Sequence, residues 1–218
     1  MKLLRLTIAL VFGTLFSISA NAAGEPPRFD GPYAGLVSGY GFTDPDFTYN
    51  GTPFDLDMQG PLAGITAGNN WNLGSFVLGV EADAQVLGLS ERTSCGGFCN
   101  VAADVDALVT ARMRAGWLLG SENQFMVYAT GGVGFVWFDT VNIGGAAPTE
   151  TQWNETTYVV GGGFEGYVMD TDWISTKLEY LYVGANSNRN FLINTGDSGR
   201  IGFDGIHLIR WGWNIHLN

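Results

Sequence analysis

The stretch that decides the fold is FVLGVEADAQVL, residues 76–87. One set of its alternate positions is apolar and consists of Phe76, Leu78, Val80 and Ala82. The other set carries the charges of Glu81 and Asp83. Neighbouring side chains of a β-strand point to opposite faces, so this period of two predicts a strand with one apolar face and one charged face.

Alternation of this kind recurs in eight segments, with approximate bounds of 32–42, 61–71, 76–87, 107–117, 125–138, 157–168, 173–183 and 205–217. Three connections between them are short, at 72–75, 118–124 and 169–172. Four are long and rich in Asp, Asn, Gly, Pro and Thr, at 43–60, 88–106, 139–156 and 184–204. The alternation of short and long connections predicts an all-β chain that closes into one eight-stranded antiparallel up-and-down β-barrel.

The period alone does not say which face of the barrel is outside, because a soluble lipocalin-type barrel has the same period with its apolar face inward. In this chain the apolar face carries aromatic residues near the strand ends, where a membrane barrel has its interfacial girdles. We therefore predict a transmembrane barrel whose apolar face meets lipid. The predicted aromatic girdle consists of Tyr40, Trp71, Phe76, Trp117, Trp137, Tyr180, Tyr182, Trp211 and Trp213.

The opposite face mixes glycine with charge, and glycine there leaves room for long side chains in a narrow lumen. Four acidic and four basic residues lie on this face, although the whole chain has a formal net charge of −11. Because an unpaired buried charge is costly, the balance predicts an ion-pair network inside the barrel. The alternative is that these are ordinary surface charges of a soluble barrel. The eight residues are Glu81, Asp83, Arg112, Arg114, Glu165, Lys177, Glu179 and Arg210.

The N-terminus has the features of a secretory signal peptide. Lys2 and Arg5 precede an uncharged apolar run at 6–18, and Ala20-Asn21-Ala22 is a small-x-small cleavage site. We predict a signal peptide at 1–22 and one barrel domain at 23–218. Loss of the two basic residues with the signal peptide would change the formal net charge from −11 to −13, so nucleic acid is not an expected partner.

Cys95 and Cys99 are the two cysteines of the chain. In an exported protein they can oxidise to a disulfide that closes a five-residue loop, which is the pairing we expect. A CxxxC metal site is the alternative, although two ligands without a nearby histidine are a weak pattern.

No pattern in the sequence is typical of an enzyme, and we expect neither catalysis nor a cofactor. Neither His207 nor His216 is followed two places on by a serine, and no nucleophile elbow, zinc-protease motif or phosphate loop occurs. The histidines are expected at the barrel rims. The first long connection carries acidic residues that predict either a Ca²⁺ or Mg²⁺ site near lipopolysaccharide phosphates or a solvated loop, namely Asp44, Asp46, Asp55 and Asp57.

Five pieces of the chain carry a resemblance to a known family: residues 29–35 (FDGPYAG), 76–83 (FVLGVEAD), 127–134 (VYATGGVG), 161–165 (GGGFE) and 177–183 (KLEYLYV). In this order they resemble the small OmpA/OmpX-type barrels, and especially the porin-like outer-membrane immunogenic proteins, which are surface antigens. The resemblance implies a bacterial outer membrane with its lipids and lipopolysaccharide, and insertion by the barrel assembly machinery. It also implies loops that contact host surfaces or other ligands.

The expected function follows from the width of the barrel. Eight strands enclose a lumen that side chains fill, so the word porin in the family label does not by itself indicate diffusion. We expect a structural barrel that supports envelope integrity and displays four surface loops, with surface contact or antigenicity implied by the resemblance. The alternative is a narrow porin-like channel for ions or small solutes.

Overall fold

A computed structural model shows how the chain folds after residue 26. It describes residues 27–49, 51–55, 57–94, 100–120, 122–144, 153–168, 171–184, 187–194, 197–203 and 205–217. Over these ranges the chain is built of strands and turns, and they contain no helix long and apolar enough to cross a membrane.

Eight strands form a closed barrel, as the sequence predicts. Their bounds are β1 (Gly31–Thr43), β4 (Met58–Asn72), β5 (Phe76–Ser94), β6 (Asn100–Leu119), β7 (Phe125–Gly144), β8 (Trp153–Tyr167), β9 (Ile174–Gly184) and β12 (Ile206–His216). Each strand pairs antiparallel with its neighbours, and the pairing of β1 with β12 closes the wall. The prediction of an eight-stranded antiparallel up-and-down barrel is therefore confirmed.

The strands β5 to β8 run beyond their predicted ends. The β5–β6 ladder is irregular between Val86 and Leu89, and the β6–β7 ladder between Asp104 and Ala107. An inserted residue shifts the alternation of side chains while backbone pairing continues. The sequence alternation therefore ends near residue 87 and resumes near residue 107, although β5 continues to Ser94 and β6 begins at Asn100.

The prediction that 43–60 and 184–204 are loops was wrong in part. These connections contain four more strands, which are β2 (Asp46–Tyr49), β3 (Thr52–Asp55), β10 (Ser187–Asn194) and β11 (Asp197–Phe203). They form a second antiparallel sheet in the order β10-β11-β2-β3. Because β2 pairs with β11, this sheet joins the first long connection to the last.

The outer wall of the barrel is apolar. Met113, Leu36 and Ile65 are 69%, 64% and 62% exposed, whereas the alternate residues of the same strands are buried. Apolar exposure on this scale is typical of a surface that is covered by another apolar medium. It agrees with the predicted orientation, in which the apolar face meets lipid and the charged face lines the interior.

Candidate functional site: the charged interior of the barrel

The structure brings the eight predicted charged residues together inside the barrel, and none is more than 4% exposed. Strand β5 supplies two acids, β6 two bases, β8 one acid, β9 one base and one acid, and β12 one base. Their alternate spacing along the strands places them on the inner face. We call Glu81, Asp83, Arg112, Arg114, Glu165, Lys177, Glu179 and Arg210 the interior cluster.

Glu81 is the acid with the most cationic partners in the interior cluster. Its carboxylate accepts hydrogen bonds from Lys177 Nζ at 2.6 Å and from Tyr33 OH at 2.7 Å. Arg114 Nη1 donates to it at 3.4 Å, and Arg112 Nη2 also donates to it. One buried carboxylate is thus shared by three cations and a phenol.

Two arginines and two acids form a closed ring. Arg112 donates to Asp83 at 2.7 Å and to Glu179 at 3.1 Å. Arg210 donates to the same two residues, to Asp83 at 2.8 Å and to Glu179 at 3.0 Å through Nε. Each guanidinium therefore bridges both carboxylates, a geometry that suits the fixed fork of donors on arginine.

Glu165 occupies the end of the interior cluster nearest the short turns. Its Oε2 accepts a hydrogen bond from Arg114, and its Oε1 accepts bonds from Ser175 Oγ at 2.6 Å and Asn214 Nδ2 at 2.8 Å. Both carboxylate oxygens of this fully buried residue are therefore satisfied.

Four of the ion pairs cross the lumen. They join the wall made by β5 and β6 to the wall made by β8, β9 and β12, and they are Arg112–Glu179, Arg114–Glu165, Lys177–Glu81 and Arg210–Asp83. The barrel interior is consequently bridged from side to side by charged side chains.

Two tyrosines that the sequence analysis missed complete the cluster. The guanidinium carbon of Arg114 lies over both rings, 5.5 Å from the centroid of Tyr33 and 4.2 Å from that of Tyr128, which favours a cation–π interaction with each. Tyr128 OH donates to Glu179 at 3.0 Å. The Tyr33 ring covers Gly68, where an added Cβ would lie 2.4 Å from its hydroxyl. Each ring lies over a glycine of a neighbouring strand, Gly68 for Tyr33 and Gly163 for Tyr128. These glycines are the sequence signal from which the two tyrosines could have been predicted.

Apolar layers close the interior cluster on both sides. On the side of the long connections, inward side chains form what we call the loop-side layer, namely Leu62, Leu87, Leu89, Leu108, Val136, Val159, Leu181 and Leu208. On the side of the short turns a second group packs together, consisting of Phe29, Val77, Leu118, Met126 and Tyr128, with Tyr167 against it. The sequence analysis assigned charge and glycine to the inner face and did not identify either layer.

The structure also brings a serine and a histidine together, which sequence spacing did not suggest. Ser175 Oγ and His216 Nε2 are 3.0 Å apart. Because the single hydroxyl proton of Ser175 is donated to Glu165, the ring nitrogen is the donor in the contact with Ser175. His216 is therefore not placed to act as a base toward this serine, and both residues are buried.

All nine predicted girdle residues point outward or lie half-buried on the wall. Trp71, Phe76 and Trp117 lie near the short turns, where the rings of Phe76 and Trp117 are 6.4 Å apart. Tyr40, Trp137, Tyr180 and Tyr182 lie on the other half, toward the long connections, while Trp211 and Trp213 stack on each other along β12. The phenol of Tyr180 is 2.6 Å from Nδ1 of His207.

The remaining predicted sites lie partly outside what the structure describes. Cys95 and Cys99 fall outside the described residues, so their pairing stays a prediction. Asp44, Asp46 and Asp57 are exposed in the first long connection, and the side chain of Asp55 lies outside what the structure describes. Within the part of the chain that the structure describes, no group of three or more His, Cys, Asp or Glu residues is placed to hold a metal ion.

No protein-family model matches the chain. It is 31% identical over 159 residues to the 22 kDa outer membrane protein of Rhizobium leguminosarum bv. viciae, an alignment that covers 72% of this chain and 68% of the relative. The chain belongs to the family of that protein. It is thus an outer-membrane barrel, and the predicted location in the outer membrane agrees with this relative.

Among solved structures, this outer-membrane barrel is similar to OprG from Pseudomonas aeruginosa. The two align with a TM-score of 0.58 and 14% identity over 87% of this chain and 98% of OprG. At this identity the likeness shows the fold alone. The predicted resemblance to small OmpA/OmpX-type barrels is confirmed at that level.

Proposed function

We propose that the protein is a structural component of the outer membrane, which supports envelope integrity and displays its long connections at the cell surface. The observation that carries the proposal is the filled interior, in which four acids and four bases neutralise one another between two apolar layers. An interior filled in this way supports a structural role.

The alternative is a narrow channel, and the packing of the interior opposes the passage of an ion through it. An ion that crossed the barrel would leave water at the loop-side layer, break ion pairs that have no access to solvent, and then pass the apolar group beside the short turns. Each of these steps leaves a charge or a broken hydrogen bond buried, which costs several kcal/mol. The geometry therefore favours a closed barrel.

The proposed partners follow from the surfaces of the barrel. Lipids and lipopolysaccharide would contact the apolar wall and its aromatic residues. The barrel assembly machinery would insert the chain, and ligands on host or other surfaces would meet the long connections, where antigenicity would also reside. The acidic composition does not favour nucleic acid as a partner. We propose no enzymatic role and no cofactor.

Planar-bilayer recordings of the purified mature protein test the proposal. We expect no stepwise conductance under conditions in which a general-diffusion porin in the same bilayers conducts. A heat-modifiable band on a gel, obtained from the outer-membrane fraction, serves as the control that the sample is folded. Sustained single-channel steps from such a sample would contradict the closed barrel and support the narrow channel.

We also propose that residues 1–22 are removed on export. The apolar run of this segment is shorter than the roughly 20 residues of a spanning helix, and a cleavage site follows it. The intact mass of the protein purified from the outer membrane should correspond to a chain that begins at Ala23. A mass that includes the first 22 residues would overturn this proposal.

A further inference from the structure

The four residues before β1, residues 27–30, lie against all three short turns of the barrel. Arg28 makes contact with two of them. Its guanidinium is 2.8 Å from Asp172 Oδ1, in the turn between β8 and β9, and 3.8 Å from Glu122 Oε2, in the turn between β6 and β7. Its Nε also donates to Asp172 at 3.0 Å.

The third short turn is joined by hydrogen bonds to the backbone. Asn72 ends β4 and leads into this turn. The amide N–H of Asn72 donates to Asp30 Oδ1 at 2.8 Å, and its side-chain Nδ2 donates to the carbonyl of Arg28 at 2.7 Å. The segment at 27–30 therefore connects turns that are far apart in sequence.

Phe29 is inserted between these contacts. Its side chain is fully buried against Val77, Leu118 and Met126, and its amide N–H donates to Tyr167 OH at 3.0 Å. The chain reverses around it, with Asp30 N bonded to Pro27 O at 3.1 Å.

The backbone of Phe29 shows that this placement is specific. Phe29 has a φ of 58°, which is uncommon for a bulky residue other than glycine. A strained conformation persists only where the surrounding contacts determine it. We take the burial of the ring and the ties of Arg28 and Asp30 to the turns as those contacts.

We propose that residues 27–30 form a latch that closes the turn-side mouth of the barrel and keeps solvent away from the interior cluster. The latch uses an aromatic plug, Phe29, and two polar anchors, Arg28 and Asp30. Because the loop-side layer closes the other end independently, this inference goes beyond the proposed function and can fail without it.

Cysteine accessibility tests the latch. In a background of Cys95→Ser and Cys99→Ser, the reporter is Val77→Cys, which lies beneath Phe29 and is fully buried. The rate of modification by a charged, water-soluble maleimide is measured on the folded, detergent-solubilised mature protein. We expect Phe29→Ala to raise this rate by about tenfold or more, because buried groups react through local opening.

Two matched controls separate the latch from general loosening. Phe164→Ala makes the same chemical change on the lipid-facing wall, where the residue is 46% exposed, and should leave the reporter rate unchanged. Val183→Cys is an equally buried reporter near the loop-side end of β9, and its rate should not respond to Phe29→Ala.

An unchanged Val77→Cys rate in the Phe29→Ala barrel would overturn the latch, as would an equal rise at Val183→Cys. If Phe29→Ala gives no folded gel band, Arg28→Ala decides the question, since it keeps the plug and removes the ties of the Arg28 side chain to Glu122 and Asp172. We expect Arg28→Ala to raise the Val77→Cys modification rate less than Phe29→Ala does. An unchanged rate in Arg28→Ala would overturn the proposal. We expect Phe29→Ala to stay silent in bilayer recordings, because the loop-side layer closes the other end of the barrel. Conductance in this variant with a silent wild type would contradict independent closure by that layer and leave the latch standing, whereas conductance in the wild type would contradict the closed barrel.

Discussion

Replacement of Arg114 by Met tests whether the interior cluster stabilises the barrel. Arg114 is the donor to Glu165 Oε2, and among the described residues no other donor contacts that oxygen. The Arg114→Met barrel would keep a buried, ionised Glu165 with hydrogen bonds to its other oxygen alone. The variant changes little in volume, so its effect reports the lost charge and hydrogen bonds.

The magnitude follows from the burial of the pair. Breaking a buried ion pair by removing one partner costs about 3–5 kcal/mol, because the remaining charge is uncompensated. Arg114 also loses its contacts with the rings of Tyr33 and Tyr128, and desolvated cation–π contacts contribute up to about 2 kcal/mol each. We therefore expect the free energy of unfolding to fall by at least about 3 kcal/mol.

The second half of the experiment removes the stranded charge. Glu165→Gln in the Arg114→Met background keeps an acceptor for Ser175 and Asn214 but carries no charge. We expect the double variant to recover about 0.5–3 kcal/mol relative to Arg114→Met alone, which is the usual range for coupled neighbours. The free energies come from denaturant unfolding in lipid vesicles, followed by tryptophan fluorescence and checked on a heat-modifiability gel.

Arg200→Met is the matched control, because it changes the same residue type at an exposed position of β11, outside the barrel wall. Its effect should stay within about 1 kcal/mol, as for exposed ion pairs. The reasoning is refuted if Arg114→Met unfolds like the wild-type barrel, or if neutralising Glu165 brings no recovery.

Two further variants probe the packing around the cluster. Gly68→Ala places a Cβ 2.4 Å from Tyr33 OH and 2.6 Å from a backbone oxygen, so the unfolding free energy should fall by about 1–3 kcal/mol, whereas Gly131→Ala, with its nearest contact at 3.7 Å, should have little effect. Leu181→Ala in the loop-side layer should cost about 2–5 kcal/mol, and Leu178→Ala, on the lipid-facing side of the same strand, clearly less. Vesicle unfolding measures all four, and equal losses within either pair would contradict the assigned packing.

Much of the barrel was predictable because its strands obey a local rule. Period-two alternation identified eight segments, and it placed Glu81, Arg112 and Glu179 on a common face without any knowledge of their partners. What alternation cannot give is which strands face each other across the lumen. The pairing of Lys177 with Glu81 spans 96 positions in sequence and depends on the tilt and closure of the whole wall.

The elements that sequence analysis missed are those whose stability is not local. Strand β2 has four residues and forms its sheet with β11, far along the chain. Phe29 precedes the first alternating segment, so no periodicity marks it, and its contacts lie at strand ends much further along the chain. Near the strand ends, inward apolar residues such as Leu208 alternate with outward residues that are also apolar. The sequence there is a mostly apolar run, and it does not show which of its residues point into the lumen.

The charged residues of β9 help to fix the register of this strand, which the alternation of apolar residues does not do. A slip of two residues along a strand keeps every side chain on its own face, so an apolar pattern alone does not exclude it. In the observed register Glu179 lies opposite Arg210 of β12, and Lys177 opposite Glu165 of β8. A slip of two in one direction against β12 would put Lys177 opposite Arg210. Against β8, one such slip would put Glu179 opposite Glu165.

Both neighbours therefore select the same register of β9. Each slip of two residues either brings like charges together or leaves a buried charge opposite an uncharged residue. The exchange Lys177→Glu with Glu179→Lys tests this, since it preserves composition, net charge and both faces. It places an acid opposite Glu165 and a base opposite Arg210. We expect the yield of heat-modifiable barrel to fall sharply, while the exchange Leu178→Tyr with Tyr180→Leu on the outer face of the same strand leaves it unchanged. A normal yield from the charge exchange would mean that hydrophobic alternation and the turns fix the register by themselves.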